Sequence, residues 1–183
     1  QGSHSAMRLS PERLGRVAIF AALVYVLSWA TAWLPNINLS FFVIFSAGVL
    51  WGSGSGMMVG AVGMGLYTLF NPYGPAMIPI MLSQVFGAAL CGLTGDCWRR
   101  LGGMRATGAL RLGGLVAAGL VCTLLFYVPV SVVDAWLFQP FWPRLIAGLS
   151  WSVVALISNI VIFPLLFPVT YHLYKREWPA QSA

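Results

Sequence analysis

Nine of the ten basic residues fall on one side of a single layout of six apolar spans. Arg8, Arg13 and Arg16 precede the first apolar stretch. Arg99, Arg100, Arg105 and Arg111 cluster in one internal loop, and Lys175 and Arg176 follow the last stretch. The bilayer resists carrying Lys and Arg outward, so such clusters mark the cytoplasmic face. The layout predicts an all-α, polytopic integral membrane bundle with six transmembrane helices. Both chain termini would be cytoplasmic, in a bacterial inner membrane.

Composition agrees with the layout. Hydrophobic residues make up 59% of the chain and charged ones 8%. Four acids and ten bases cannot supply the charged shell of a soluble domain of this size. The net charge of +6 does not imply nucleic acid. The bases flank apolar spans as topology signals do, with no aromatic-rich basic face beside them. Membrane lipid, including anionic lipid on the inner leaflet, is the partner they suit. Residues 1–6 read as the remnant of a cleaved tag, leaving residues 7–183 as one membrane domain.

The spans run at about 14–34, 37–51, 56–70, 76–95, 112–133 and 145–174. The second is short for a bilayer core, which takes about 20 residues, and the last is long enough to require tilt or bending. Gly52 to Gly56 reads as a tight turn between the second and third. Gly48, Gly52, Gly56 and Gly60 are spaced by four, so residues 40–70 could instead form one long helix with a glycine stripe. That would put the Arg99–Arg111 cluster opposite the N-terminal arginines, and the charge distribution decides for two spans and a turn.

The opposite loops differ in chemistry. They hold Asn36, Asn38, Asn71, Tyr73, Asp134, Trp136 and Arg144, with Trp33 closing the first span. An aromatic girdle accounts for most membrane tryptophans. Aromatic faces with a few convergent polar groups are also what a small-molecule pocket needs. Within the spans, Gln84 and Asn159 are carboxamides at similar depth. They act either as glue between helices or as the floor of a shared polar site. Ala18 and Ala22, four apart on the first span, let another helix approach closely. That contact serves either packing within the bundle or docking of a separate protein.

Catalysis lacks raw material. The four acids do not pair at one depth, and no zinc-protease, nucleophile-elbow or phosphate-loop motif occurs. Cys91, Cys97 and Cys122 read as small apolar fillers, so neither a metal nor a cofactor is expected. A transporter of this sequence has no evident energy source of its own.

With its alanine pair in "RVAIFAALVYVL", its "NLSFFVIFSAGVLWGSGSGMMVGAVGMGLYTLFNPYGP" and its glycine-rich "IPIMLSQVFGAALCGLTG", the chain resembles the S component of energy-coupling factor (ECF) vitamin transporters. The resemblance covers nearly the whole chain from Arg8. It implies a six-helix binding subunit without enzymatic activity. Such a subunit captures a vitamin or vitamin-like small molecule outside and topples to deliver it inward. It works with a transmembrane coupling subunit, docked on Ala18 and Ala22, and a pair of ATPases. The implied ligand residues are Trp33, Asn36, Asn38, Asn71, Tyr73, Asp134, Trp136 and Arg144, with Gln84 and Asn159 below. Cobalamin-specific solitary members use a cysteine near the third loop, and residues 71–75 have none. Several tryptophans suit a flat heteroaromatic ring. The competing reading is a membrane scaffold similar in outline to the rod-shape subunit MreD.

Overall fold

A computed structural model describes residues 10–34 and 36–179; the stretch read as a tag remnant and Arg8 lie outside them. Six helices follow in order: α1 (Pro11–Ala30), α2 (Ser40–Trp51), α3 (Ser53–Leu69), α4 (Ile78–Arg100), α5 (Gly108–Leu137) and α6 (Phe141–Glu177). The described residues contain no strand. Helix α1 opens on Ser10, whose side chain accepts from the Arg13 amide at 3.3 Å, with Pro11 in the first turn, where no amide donor is needed.

Helix α2 is the hub. It touches all the other helices, while α1, α3, α4, α5 and α6 contact one another in sequence around it. Every residue from Ser40 to Leu50 is buried. A helix that is apolar all round belongs in such a place. At 12 residues it is about 18 Å long, well short of a hydrocarbon core of about 30 Å. Of the expected span at 37–51, residues 40–51 form a short helix enclosed by its neighbours. Helices α1, α4, α5 and α6 are long and apolar enough to cross a membrane.

Glycine lets the hub be approached so closely. A methyl group on Gly56 would lie 2.7 Å from the Gly48 Cα and 2.9 Å from the Gly92 Cα. One on Gly92 would strike the Gly56 backbone, and one on Gly95 the Phe45 carbonyl. Three helices thus meet backbone to backbone, as small residues permit within membranes. The reversal itself needs a single residue. Gly52, at φ 86° and ψ 172°, ends α2, and α3 begins at Ser53. The turn is tighter than the expected Gly52–Gly56 segment, and the one-long-helix alternative is excluded.

All the described basic clusters gather at one end. Arg13 donates to Ser55 at 2.9 Å, Arg16 pairs with Glu177 at 2.9 Å and lies over the Trp51 ring, and the Trp178 indole donates to the Leu50 carbonyl at 3.1 Å. Asp96, buried, pairs with Arg99 at 2.6 Å and Arg100 at 2.9 Å. At the other end the expected loop 134–144 shrinks to residues 138–140, because α5 and α6 both extend into it.

Buried polar side chains tie helices together. Ser46 and Thr170 hydroxyls lie 2.7 Å apart, and Asn159 donates to Thr123 at 2.8 Å. Cys91 and Cys122 are buried at the α4–α5 contact, where the Cys91 thiol donates to the Cys122 carbonyl at 3.4 Å. Cys97 is exposed, unlike the filler expected there.

The glycine junction makes a direct prediction. Gly92→Leu forces α3 and α4 apart and costs about 1–3 kcal/mol. Gly113→Leu, at a glycine with nothing within 4 Å of its added methyl, costs little. Thermal unfolding of the two variants in detergent separates them; equal melting temperatures would show that the junction is loosely packed.

Candidate functional site

Because α2 stops at Ser40, the bundle is left without its central helix over the last stretch opposite the basic end. A cavity of about 270 Å³ opens there. The end of α1 contributes Ser28 and Thr31, and the following loop contributes Asn36, Ile37 and Asn38. Met64 and Tyr67 come from α3, Gln84 from α4, and Phe126, Tyr127 and Val130 from α5. Tyr73 closes it from the α3–α4 loop. Aromatic faces with few polar groups are the usual lining of a small-molecule site.

Gln84 is the polar group the cavity leaves unsatisfied. Its Oε1 is buried and has no hydrogen-bond partner. An orphaned acceptor away from water carries a desolvation cost of about 1–3 kcal/mol, which a ligand donor would remove. Asn38 Oδ1 accepts from the Ser40 amide at 2.9 Å, and its NH2 group can still donate.

Asn36 braces the cavity wall. It adopts φ 55°, a left-handed conformation that Asn tolerates better than most side chains. Its Nδ2 donates to the Trp151 carbonyl at 2.7 Å, and its Oδ1 accepts from the Tyr127 hydroxyl at 3.1 Å. One carboxamide therefore fastens the α1–α2 loop to both α5 and α6.

Tyr73 is held in a comparable way. The Asn71 NH2 donates to the carbonyls of Thr68 (3.2 Å) and Gly74 (2.7 Å), and its Oδ1 accepts from the Tyr73 amide at 2.9 Å. This side-chain turn directs the Tyr73 hydroxyl to the Ala32 carbonyl, 2.7 Å away, and Trp33 packs edge-on against the Tyr73 ring at 6.1 Å. Trp29 and Tyr25 both donate to the Phe70 carbonyl, at 2.7 and 3.3 Å. The ends of α1 and α3 are thereby locked side by side.

Of the ten residues expected to bind ligand, Asn36, Asn38, Tyr73 and Gln84 line this cavity. Trp33 and Asn71 stand behind Tyr73. Asp134 and Arg144 instead form a two-point pair with each other at 2.6 and 3.4 Å, and Arg144 lies over Phe138. Trp136 is 73% exposed, as a girdle residue would be, and does not line the cavity. Asn159 is wholly buried against Thr123 and does not line the cavity with Gln84, so the shared polar floor does not form. Tyr127 and Phe126 were not anticipated. Their helix reads as uniform hydrocarbon, and only the Asn36 contact, 91 residues away in sequence, distinguishes Tyr127.

On the outside of the bundle, α1 presents Ala18 and Ala22 on an exposed face, together with Gly15 and Ile19. Helix α1 packs only on α2 and α3, so this face has no partner among the described helices.

A family model described as "ECF-type riboflavin transporter, S component" matches residues 8–176. Searches of curated proteins and of solved structures find no match.

Asn36→Ala removes both clamps and places a Cβ-bearing residue without a compensating amide at positive φ. Amide exchange in residues 31–39 should accelerate about tenfold or more, while exchange in α2 stays slow. Unchanged exchange in that loop would show that Asn36 does not hold it.

Proposed function

Since the chain belongs to the ECF-type riboflavin transporter S-component family, matched over residues 8–176, we propose that it captures a flavin-like vitamin in the cavity above α2 and hands it inward. The protein is a multi-pass membrane subunit, and its six helices carry the basic end, with both chain ends, at the cytoplasmic face of a bacterial inner membrane. The positive-inside rule supports that orientation. The vitamin cavity then opens outside.

The observation that carries this reading is the unpartnered Gln84 oxygen in an aromatic-lined cavity. A flavin ring is flat and aromatic, and its imide edge alternates carbonyl acceptors with an N–H donor. A carboxamide is the complementary edge: Oε1 accepts from the imide N–H while the amide donates to the neighbouring carbonyl. Tyr67, Tyr73, Phe126 and Tyr127 supply apolar and aromatic surface to the ring. The Asn38 NH2 adds a donor. At about 270 Å³ the cavity suits the ring system, and a polar tail extends it by displacing the 31–39 loop.

The exposed Ala18–Ala22 face supports docking on a coupling subunit, and the energy comes from ATPases in that assembly.

Two measurements test the proposal. The purified protein should quench riboflavin fluorescence on binding, and Gln84→Leu should weaken that binding at least tenfold while leaving the melting temperature unchanged or raised, since the orphaned acceptor is removed. Absence of riboflavin binding by the unaltered protein rejects the flavin assignment. Ala18→Leu with Ala22→Leu should keep binding but abolish uptake in cells; preserved uptake would remove α1 as the docking face.

A further inference from the structure

The two groups of basic residues at one end of the bundle are used differently. Arg13 and Arg16 are taken up by Ser55 and Glu177. The α4–α5 loop and the end of α6 instead surround a cup of about 630 Å³ lined by Arg99, Arg100, Arg105, Arg111 and Lys175. Asp96 is the carboxylate that meets them, and it engages Arg99 and Arg100 alone. Among the described residues, Arg105, Arg111 and Lys175 form no ion pair. Five cations therefore face one acid.

The cup is ordered rather than a loose fringe of charge. Arg111 Nε donates to the Ala106 carbonyl at 2.6 Å, and its guanidinium lies 5.0 Å from the Tyr171 ring centre and 5.8 Å from that of Phe167. Lys175 Nζ lies 4.7 Å from the Tyr171 ring centre. Arg99 Nε is buried without a partner. Cations held on aromatic faces keep N–H groups for an anion.

A second concavity adjoins it. An apolar groove of about 610 Å³ runs between α4 and α5 on the outer surface of the bundle and shares Gly102 and Arg105 with the cup. Along α5 it extends from Leu110 to Val121, about 16 Å at 1.5 Å per residue. That is about half the thickness of a hydrocarbon core, the depth of one leaflet. Leu101 and Leu110 flank its mouth and are 88% and 76% exposed. A cationic cup joined to an apolar channel of leaflet depth has the shape and charge of one molecule class.

We propose that this end of the protein holds an anionic glycerophospholipid, its phosphate in the cationic cup and one acyl chain in the α4–α5 groove. Basic pockets between membrane helices are suited to such headgroups. The site is separate from the cavity above α2 and rests only on the chain being a membrane protein.

Native mass spectrometry of the detergent-purified protein, titrated with phosphatidylglycerol, tests this. One lipid should be retained at low molar ratio and lost as salt is raised. Phosphatidylcholine with the same chains should bind at least tenfold more weakly. Glycerol 3-phosphate, which has the phosphate but no chain, should not be retained. Arg105→Gln with Lys175→Gln should reduce phosphatidylglycerol affinity by about tenfold or more. Ala117→Trp, which fills the groove from an exposed position, should also reduce it. Arg13→Gln, outside the cup, should leave it unchanged, and the melting temperatures of the lipid-free variants report that each is folded. Equal retention of the two lipids, tight binding of glycerol 3-phosphate, or indifference to the Arg105/Lys175 changes would each overturn the proposal.

Discussion

The contact on which the structure depends is backbone against backbone, where α2, α3 and α4 meet at Gly48, Gly56, Gly92 and Gly95. Lipid tails are as apolar as leucine, so helices in a membrane gain little from hiding hydrocarbon. They hold together by dispersion at close range and by the few hydrogen bonds they exchange. Removing side chains along this seam lets a 12-residue helix sit wholly enclosed by longer ones. The mismatch in length is then unavoidable. Where the hub runs out, a vestibule remains, and the residues around it acquire a role through that vacancy.

The two ends of the bundle consequently differ in kind. At one end Gly52 turns the chain back within a single residue, and ion pairs, ring contacts and the Trp178–Leu50 hydrogen bond close the floor. At the other, the α1–α2 loop must bridge the space above Ser40. It is fastened by Asn36 to α5 and α6 and backed by Tyr73 from the α3–α4 loop. A wall made of a braced loop opens at lower cost than one made of packed helix, because few buried contacts are broken. That suits a subunit that admits a ligand on one side. The cationic cup at the closed end has the opposite character: Arg111 and Lys175 are held on aromatic rings, and with Arg105 they form no ion pair among the described residues.

Much of this was legible from residue order. The charge asymmetry along the chain anticipated one basic end, and Gly48, Gly52, Gly56 and Gly60 stood out as a stripe spaced by four. Gln84 stood out as a carboxamide in hydrocarbon and is the cavity's unsatisfied acceptor. Asn159 stood out for the same reason and is satisfied on one side by Thr123 instead. Depth along a helix could be counted from the sequence, but rotation about the helix axis relative to a neighbour could not. Likewise Asp134 and Arg144 had the composition of a binding pair, yet they sit ten residues apart on two helices of one hairpin and neutralise each other.

The sequence by itself determined that this chain is an all-helical membrane protein, where its charge collects, and which polar groups would need partners. Those properties follow from transfer free energies of individual residues, which are local. Only the tertiary structure decided that α2 is an enclosed hub, that four of ten anticipated residues surround a cavity, and that unpaired cations adjoin an apolar groove. Each of these depends on which helix faces meet. That choice is made by close packing among residues up to 128 positions apart, and no single stretch of the chain encodes it.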